Sequence, residues 1–324
     1  MTAGSEARSW LRDHKTTMKR VATGVFVCIV IALLVRVGMT IEWDEVVDAI
    51  LDTSPAVLWT AVPLVIASYC VYACYDILGK RYTGHDLPWW QCMKVAFISY
   101  AFTMNFSAAV GGLAMRLRLY GKYGLAPGEI MRIMGLSITT NWIGYCMLAG
   151  LIFASGAIKP PGEWGIGGGW LRVVGGLLVV VALAYLALSA FSKRRSWKIR
   201  DHTIELPDLR TAVLQVALSM VNWSIMGLIV YILMPGEIAY PTILGCLLVG
   251  AIVGSVAHIP GGLGVTEYVF ITLLSPELPR HQVLGAILVY RALYYIAPVL
   301  VAGAWYLLME ARSSTQPSHG TEVA

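Results

Sequence analysis

The sequence predicts an all-α polytopic membrane protein, with about six full transmembrane helices and two re-entrant or broken segments, roughly eight hydrophobic segments in all. Three observations predict it. Residues of the AVILMFWYC set make up 57% of the 324-residue chain and charged residues only 13%, against about 25% charged in soluble domains. Mean hydropathy is +0.68, more apolar surface than a water-soluble core hides. Several apolar stretches approach the ~20 residues that a helix needs to cross a bilayer. They run continuously apolar instead of alternating, which excludes an outer-membrane barrel.

The net charge of +5 sits mainly in tails and loops, so it reads as topology and not as a nucleic-acid surface. The six cysteines lie in apolar stretches with neither CxxC spacing nor a histidine set. They read as small buried apolar side chains, and no metal or other cofactor is expected.

Residues 1–20 carry Arg8, Arg12, Lys15, Lys19 and Arg20 against Glu6 and Asp13, a basic tail that the positive-inside rule places in the cytoplasm. Residues 21–40 then cross outward as a retained first helix, because Arg36-Val-Gly-Met-Thr40 is no small-residue cleavage site. In 41–52, apolar Ile41, Val46, Val47, Ile50 and Leu51 alternate with acids, as in an amphipathic helix on the outer surface. Residues 56–78 return to Lys80 and Arg81. An apolar run from Trp89 then gives way to Asn105-Phe-Ser-Ala-Ala-Val-Gly-Gly-Leu-Ala-Met-Arg116-Leu-Arg118-Leu-Tyr120. A full crossing there would leave Arg116, Arg118 and Lys122 outside, whereas a hairpin dipping in from the cytoplasm brings them back to the favoured side.

Residues 134–156 cross outward, 158–170 form an external loop rich in proline and glycine, and 171–191 return to Lys193, Arg194, Arg195, Lys198 and Arg200. Residues 211–234 cross outward again. Residues 242–257 are apolar, His258-Ile-Pro-Gly-Gly-Leu-Gly264 interrupts them, and 265–274 resume. Residues 282–308 make the last span, and 310–324 read as a disordered cytoplasmic tail. Both termini are therefore expected in the cytoplasm, flanking a single transmembrane domain over 21–309.

The two interruptions correspond. Gly111-Gly112-Leu113 and Gly261-Gly262-Leu263 lie 150 residues apart, and Ser68 and Ser219 lie 151 apart. Halves of about 21–157 and 171–309 would each hold three crossings and one hairpin, an odd number, so the second half is inverted. Paired breaks in an inverted repeat point to a mid-membrane transport site, since unwound backbone at that depth needs protein or a water-filled cavity around it. The alternative is packing glycines at helix contacts. Arg132 and Arg291 break the pattern, at 159 residues apart.

A charge at membrane depth costs about 2.5–3.5 kcal/mol, so each needs a partner or a task. Arg291 is followed by Tyr294, Tyr295 and Pro298 on one helical face. A cation edged by tyrosines suits an anionic group with an apolar tail, such as a phospholipid phosphate; the alternative is an ion pair with Glu267 or Asp76. Glu267 opens the half-helix after the second break, where it caps backbone N–H groups or titrates during transport. Arg116 and Arg118 follow the first break on different faces, one to bind and the other to snorkel. Arg132 sits near the cytoplasmic end of its span, also placed to snorkel. Ser137, Thr140 and Asn141 share a face, as a polar path or as helix-to-helix hydrogen bonds. Asn105 joins Gly111, Gly112, Gly261 and Gly262 among the candidate substrate contacts, and Glu267, Asp76 and His258 are the candidates for proton coupling. There is no GxxxxGK[ST], HExxH or GxSxG, so neither ATP-driven pumping nor those enzyme chemistries are expected.

Ser99-Tyr-Ala-Phe-Thr-Met-Asn105 leading to Gly111-Gly112-Leu-Ala-Met-Arg116-Leu-Arg118, then Leu136-Ser-Ile-Thr-Thr-Asn141-Trp142, His258-Ile-Pro-Gly-Gly-Leu-Gly-Val-Thr-Glu267 and Tyr290-Arg291-Ala-Leu-Tyr-Tyr295 together resemble the lysylphosphatidylglycerol synthase transmembrane-region family of bacterial inner-membrane proteins. The resemblance covers nearly the whole chain. In larger relatives a similar region is the lipid-flipping part, joined to an aminoacyl-transferase domain that this chain is expected to lack. It implies lipid translocation without lysyl-lipid synthesis, in the bacterial inner membrane. The reading is a non-enzymatic transporter or flippase of an anionic lipid, with Arg291 and Arg116 holding its phosphate. The alternative is a non-transporting partner subunit that presents lipid to a separate lipid synthase or envelope lipid-transport system.

Overall fold

A computed structural model describes residues 43–315, apart from 107, 159–167, 194, 200–201, 258–259 and 275–276, together with helical positions scattered from 21 to 39. The expected tail 1–20 and most of the expected first span lie outside the described residues. Residues 44–299 form one compact unit, and the described residues among 21–43 and 300–315 belong to another.

The described elements are α1 (Trp43–Asp52), α2 (Pro55–Thr83), α3 (Trp89–Asn105), a π-helical turn (Ala108–Ala114), α4 (Met115–Lys122), α5 (Pro127–Ser155), α6 (Gly168–Phe191), strands β1 (Ser196–Ile199) and β2 (His202–Glu205), α7 (Leu209–Leu233), α8 (Tyr240–Ala257), a 3-10 turn (Pro260–Gly262), α9 (Val265–Leu274), α10 (Arg280–Arg291), a second π-helical turn (Ala292–Ile296) and α11 (Ala297–Thr315). Six described helical spans are long and apolar enough to cross a bilayer: Pro55–Thr83, Pro127–Ser155, Gly169–Phe191, Leu209–Leu233, Tyr240–Ala257 and Arg280–Arg312. The chain is a polytopic helical membrane protein.

Local chemistry sets the ends. Proline in the first turn opens α2, where the Ser54 Oγ accepts from Val57 N, and Gly84 closes it in the left-handed region at φ 77°. Thr211 donates to the Asp208 carboxylate just ahead of α7, which holds that carboxyl below the usual carboxylate range.

Both interrupted segments turn back on themselves. A Cβ at Gly111 would lie 2.1 Å from Thr103 N and 2.2 Å from Phe102 C, whereas residues eight apart on a straight helix are about 12 Å apart. Tyr120 then reaches Cys92 near the start of α3, so the chain leaves the fold close to where it entered. The second segment repeats this: a Cβ at Gly254 would lie 3.4 Å from Gly262 Cα, and one at Gly250 3.7 Å from Thr266 Cα. The pairs Thr103·Gly111 and Gly254·Gly262 are offset by 151 residues at both members.

The long helices show the same reciprocity. Ser68 on α2 hydrogen-bonds the Tyr294 hydroxyl at 2.7 Å. Ser219 on α7, 151 residues after Ser68, packs on Gly144 of α5, 150 residues before Tyr294, where a Cβ would come 2.2 Å from the Ser219 Cβ. Between α2 and α7, the Ser68 hydroxyl donates to Asn222 Oδ1 at 2.7 Å.

Three features depart from the sequence reading. The basic stretch after α6 is not all loop, because Ser196–Ile199 and His202–Glu205 pair as an antiparallel hairpin with Trp197 opposite Ile204. Residues 310–315, expected in the tail, are helical: α11 runs to Thr315, since the good helix formers Leu308, Met309, Glu310, Ala311 and Arg312 carry the helix past its apolar face; residues 316–324 lie outside the described residues. Cys92 and Cys246 are buried, but Cys28 and Cys70 lie on the protein's surface.

Gly111 is the position where a side chain fits least. Gly111→Ala is expected to destabilise the protein by about 3 kcal/mol, while Gly121→Ala, with nothing within 4 Å of its added methyl, leaves stability unchanged. Thermal unfolding of the two purified variants in detergent checks this.

Candidate functional site

The two turns meet. A Cβ at Gly261 would lie 3.1 Å from the Met104 carbonyl oxygen. The Asn105 side-chain amide donates to Ala101 O at 2.9 Å and to Tyr295 O at 3.0 Å, tying the end of α3 to the second π-helical turn. Beside this junction lies a cavity of about 280 Å³, walled by Thr103, Met104 and Ala108 from the first hairpin, Gly250, Gly254, Ser255, Gly261, Gly262 and Thr266 from the second, and Ser137, Asn141, Trp142, Trp223, Tyr72, Tyr100 and Tyr295 from the long helices. Asn141 is the middle residue of α5 (Pro127–Ser155), so the cavity lies at mid-span.

Two ion pairs flank it, one buried and one partly buried. Arg116 on α4, 2% exposed, and Asp76 on α2, fully buried, form a two-pronged pair: Nε to Oδ2 at 3.1 Å and Nη2 to Oδ1 at 2.8 Å. Tyr120 donates to Asp76 Oδ2 at 2.9 Å. Arg116 also donates to Gly112 O at 3.3 Å and to Ser137 Oγ at 3.5 Å, the latter on the cavity wall.

On the other flank Arg291, at the end of α10, donates through Nε and Nη2 to the Glu267 carboxylate of α9. Its Nη1 reaches Gly261 O at 3.0 Å and its Nη2 reaches Gly262 O at 2.9 Å. Its guanidinium carbon lies 5.5 Å from the centre of the Tyr295 ring, a cation–π distance. Arg291 therefore closes the second turn, and its carboxylate is Glu267; Asp76 belongs to Arg116. Glu267 serves as that partner, and not as the cap of its own helix.

The remaining expected residues separate. Tyr295 lines the cavity, whereas Tyr294 turns into the core, bonded to Ser68 and Tyr100. Arg118 is half-buried on another face of α4. Arg132 lies away from the cavity, paired with Glu205 at 2.9 Å and stacked over Tyr82. Thr140 accepts from Gln215, so of the Ser137, Thr140 and Asn141 face it is Ser137 and Asn141 that reach the cavity. His258 lies outside the described residues. Tyr72, Tyr100, Trp142 and Trp223 were not singled out from the sequence, because aromatic residues in apolar helices carry no signal of their own until tertiary packing gathers them.

Trp223 lines the cavity, while its Nε1 is buried out of reach of it with no hydrogen-bond partner among the described residues. No charged side chain lines the cavity among the described residues.

The family model for the lysylphosphatidylglycerol synthase TM region matches residues 21–302. The chain belongs to this family. Among lysylphosphatidylglycerol synthase TM proteins it is 43% identical over 297 residues to the inner membrane protein YbhN of Escherichia coli strain K12, covering 91% of this chain and 93% of that protein. It is 28% identical over 283 residues to the Synechocystis protein slr0712, covering 85% and 88%. A more distant match, 23% identical over 298 residues, is the phosphatidylglycerol lysyltransferase of Staphylococcus haemolyticus, of which the chain covers 33%. The family therefore includes chains of about this length and a region of a much longer one.

Removing one partner of a buried ion pair strands a charge. Asp76→Asn is expected to cost about 3–5 kcal/mol, and Arg116→Met in the same chain to restore most of it. Thermal melts of the single and double variants check both signs.

Proposed function

We propose that this family member moves an anionic membrane lipid across the bacterial inner membrane, without chemical change to the lipid. The observation that carries the reading is the junction of the two hairpins beside a mid-span cavity walled by both. Unwound backbone at that depth persists only where protein or a water-filled cavity surrounds it, and paired breaks of this kind support a transport site. We read 21–157 and 171–309 as inverted repeats with both termini in the cytoplasm, supported by the 151-residue offset of the turn contacts and by the basic residues at one set of helix ends.

The headgroup phosphate is drawn to the cavity edge at the start of α9, where the amide end of the helix and Arg291 behind it present positive potential. Arg116 contributes the same sign from the opposite flank through Ser137. Asn105 and the glycines Gly111, Gly112, Gly261 and Gly262 hold the two turns together, and Arg118 and Arg132 meet headgroups nearer the interface. Acyl chains stay in the bilayer, because about 280 Å³ is below the usual range for a drug-sized ligand.

Proteoliposomes containing this protein alone, with headgroup-labelled phosphatidylglycerol and phosphatidylcholine and a proton gradient on or off, test the reading. Anionic lipid is expected to move, Arg291→Ala to slow it at least 10-fold, and Arg291→Lys to retain part of the rate. Native-rate movement by Arg291→Ala, or no movement of any lipid by the native chain, overturns it; the latter favours a subunit that presents lipid to a partner synthase.

A further inference from the structure

A second and larger cavity, of about 660 Å³, falls within the range of ligand sites. It lies where α2 ends and α7 begins, beside strand β2, and it shares no wall residue with the mid-span cavity. Leu78, Leu206, Pro207 and Leu214 make its apolar side. Its polar side carries Arg81, Arg210, Tyr82 and Thr211, with the acids Glu205 and Asp208.

The walls are held by specific contacts. The Tyr82 hydroxyl, near the end of α2, donates to Glu205 O at 3.1 Å and accepts from Glu205 N at 3.2 Å, so it fastens β2 through its main chain. Arg132 of α5 pairs with the Glu205 carboxylate at 2.9 Å and lies over the Tyr82 ring. Arg195 donates to Pro207 O at 3.4 Å. These contacts fix the hairpin and the loop after it against α2 and α5.

The charges of the cavity divide into committed and uncommitted. Glu205 is taken by Arg132, and Asp208 accepts from Thr211. Arg81 and Arg210 differ from Arg116, Arg132 and Arg291: both are exposed, and neither guanidinium has a hydrogen bond or ion pair among the described residues. Two helices thus bring two planar donor forks to one space. Like charges gathered there repel, and an anion between them relieves both. Each fork matches a pair of phosphate oxygens, and two forks balance two negative charges. A phosphomonoester carries nearly two charges at neutral pH and three terminal oxygens, whereas a phosphodiester carries a single charge. The apolar side leaves room for the carbon stem.

We propose that this cavity is a binding site for a phosphomonoester, with Arg81 and Arg210 holding the phosphate and Leu78, Leu206 and Leu214 packing on its stem. The site stands apart from the transport reading and does not depend on it. Two sources share this chemistry, a lipid of the adjoining leaflet and a soluble phosphate ester, and the experiment separates them.

The test is titration calorimetry of the full chain in an uncharged maltoside detergent at about pH 8, above the second phosphate pKa of about 6. The probes are glycerol 3-phosphate and dihexanoyl phosphatidate, both phosphomonoesters, with dihexanoyl phosphatidylglycerol as the diester and dihexanoyl phosphatidylcholine as the zwitterion. The better phosphomonoester is expected to bind at least 10-fold tighter than phosphatidylglycerol. Arg81→Gln and Arg210→Gln are each expected to cut phosphomonoester affinity about 10-fold and to collapse that preference, while Arg81→Lys, which keeps the charge without the fork, retains part of it. Neither guanidinium bonds to the described protein, so the glutamine variants are expected to melt at the native temperature, which separates a lost contact from a lost fold. Phosphatidate far ahead of glycerol 3-phosphate marks a leaflet lipid as the ligand; similar affinities mark a soluble ester.

Equal affinities for phosphomonoester and phosphodiester overturn the proposal, as does a preference unmoved by Arg81→Gln and Arg210→Gln, tighter binding of phosphatidylcholine, or no binding of either phosphomonoester. Lipid movement in proteoliposomes without the phosphomonoester preference leaves transport standing and this inference overturned. The preference without lipid movement leaves this site standing and the transport reading overturned.

Discussion

Backbone that leaves a helix inside a bilayer must find its hydrogen bonds within the protein, because the hydrocarbon offers none. That constraint organises this molecule. The first turn exposes Gly112 O and the second exposes Gly261 O and Gly262 O, and in each case an arginine donates to them. An arginine brought that deep needs an anion of its own, which Asp76 and Glu267 supply. The two ion pairs are consequences of the two turns, and the mid-span cavity is the space left between the turns once both are closed.

Much of this was legible in the chain. Continuous apolar runs announced the spans, and two Gly-Gly-Leu elements 150 residues apart announced the turns, because glycine is the residue that lets backbone approach backbone, as Gly111 does at Phe102 and Thr103. The cost of an intramembrane charge singled out Arg116, Arg291, Asp76 and Glu267 before any geometry. Which acid belonged to which arginine was not legible: Asp76 and Arg116 are 40 residues apart and Glu267 and Arg291 are 24 apart, separations that leave either pairing open until the hairpins are folded. Tyr294 and Tyr295 are adjacent with the same side chain, yet one is core and the other cavity wall. The strands β1 and β2 lay within a basic stretch whose charges masked a short alternation.

Pairing also changes what the charges can do. An unpaired arginine would bind a phosphate directly and hold it, whereas one that already shares its protons with a carboxylate and two carbonyls offers a field with few free donors. Each arginine at a turn is committed first to the turn it closes and to its own carboxylate.

The two turns are closed in different ways. Residue 116 is four past Gly112, and its side chain donates to Gly112 O at 3.3 Å. Thr266, likewise four past Gly262, donates to Gly262 O, also at 3.3 Å. A threonine reaches one carbonyl and carries no charge, so the second turn draws its cation from elsewhere, from Arg291 on α10. The first turn is thus closed from within its own segment and the second by a residue of the next helix, which is why the charge there is carried by Arg291 and not by a residue of α9.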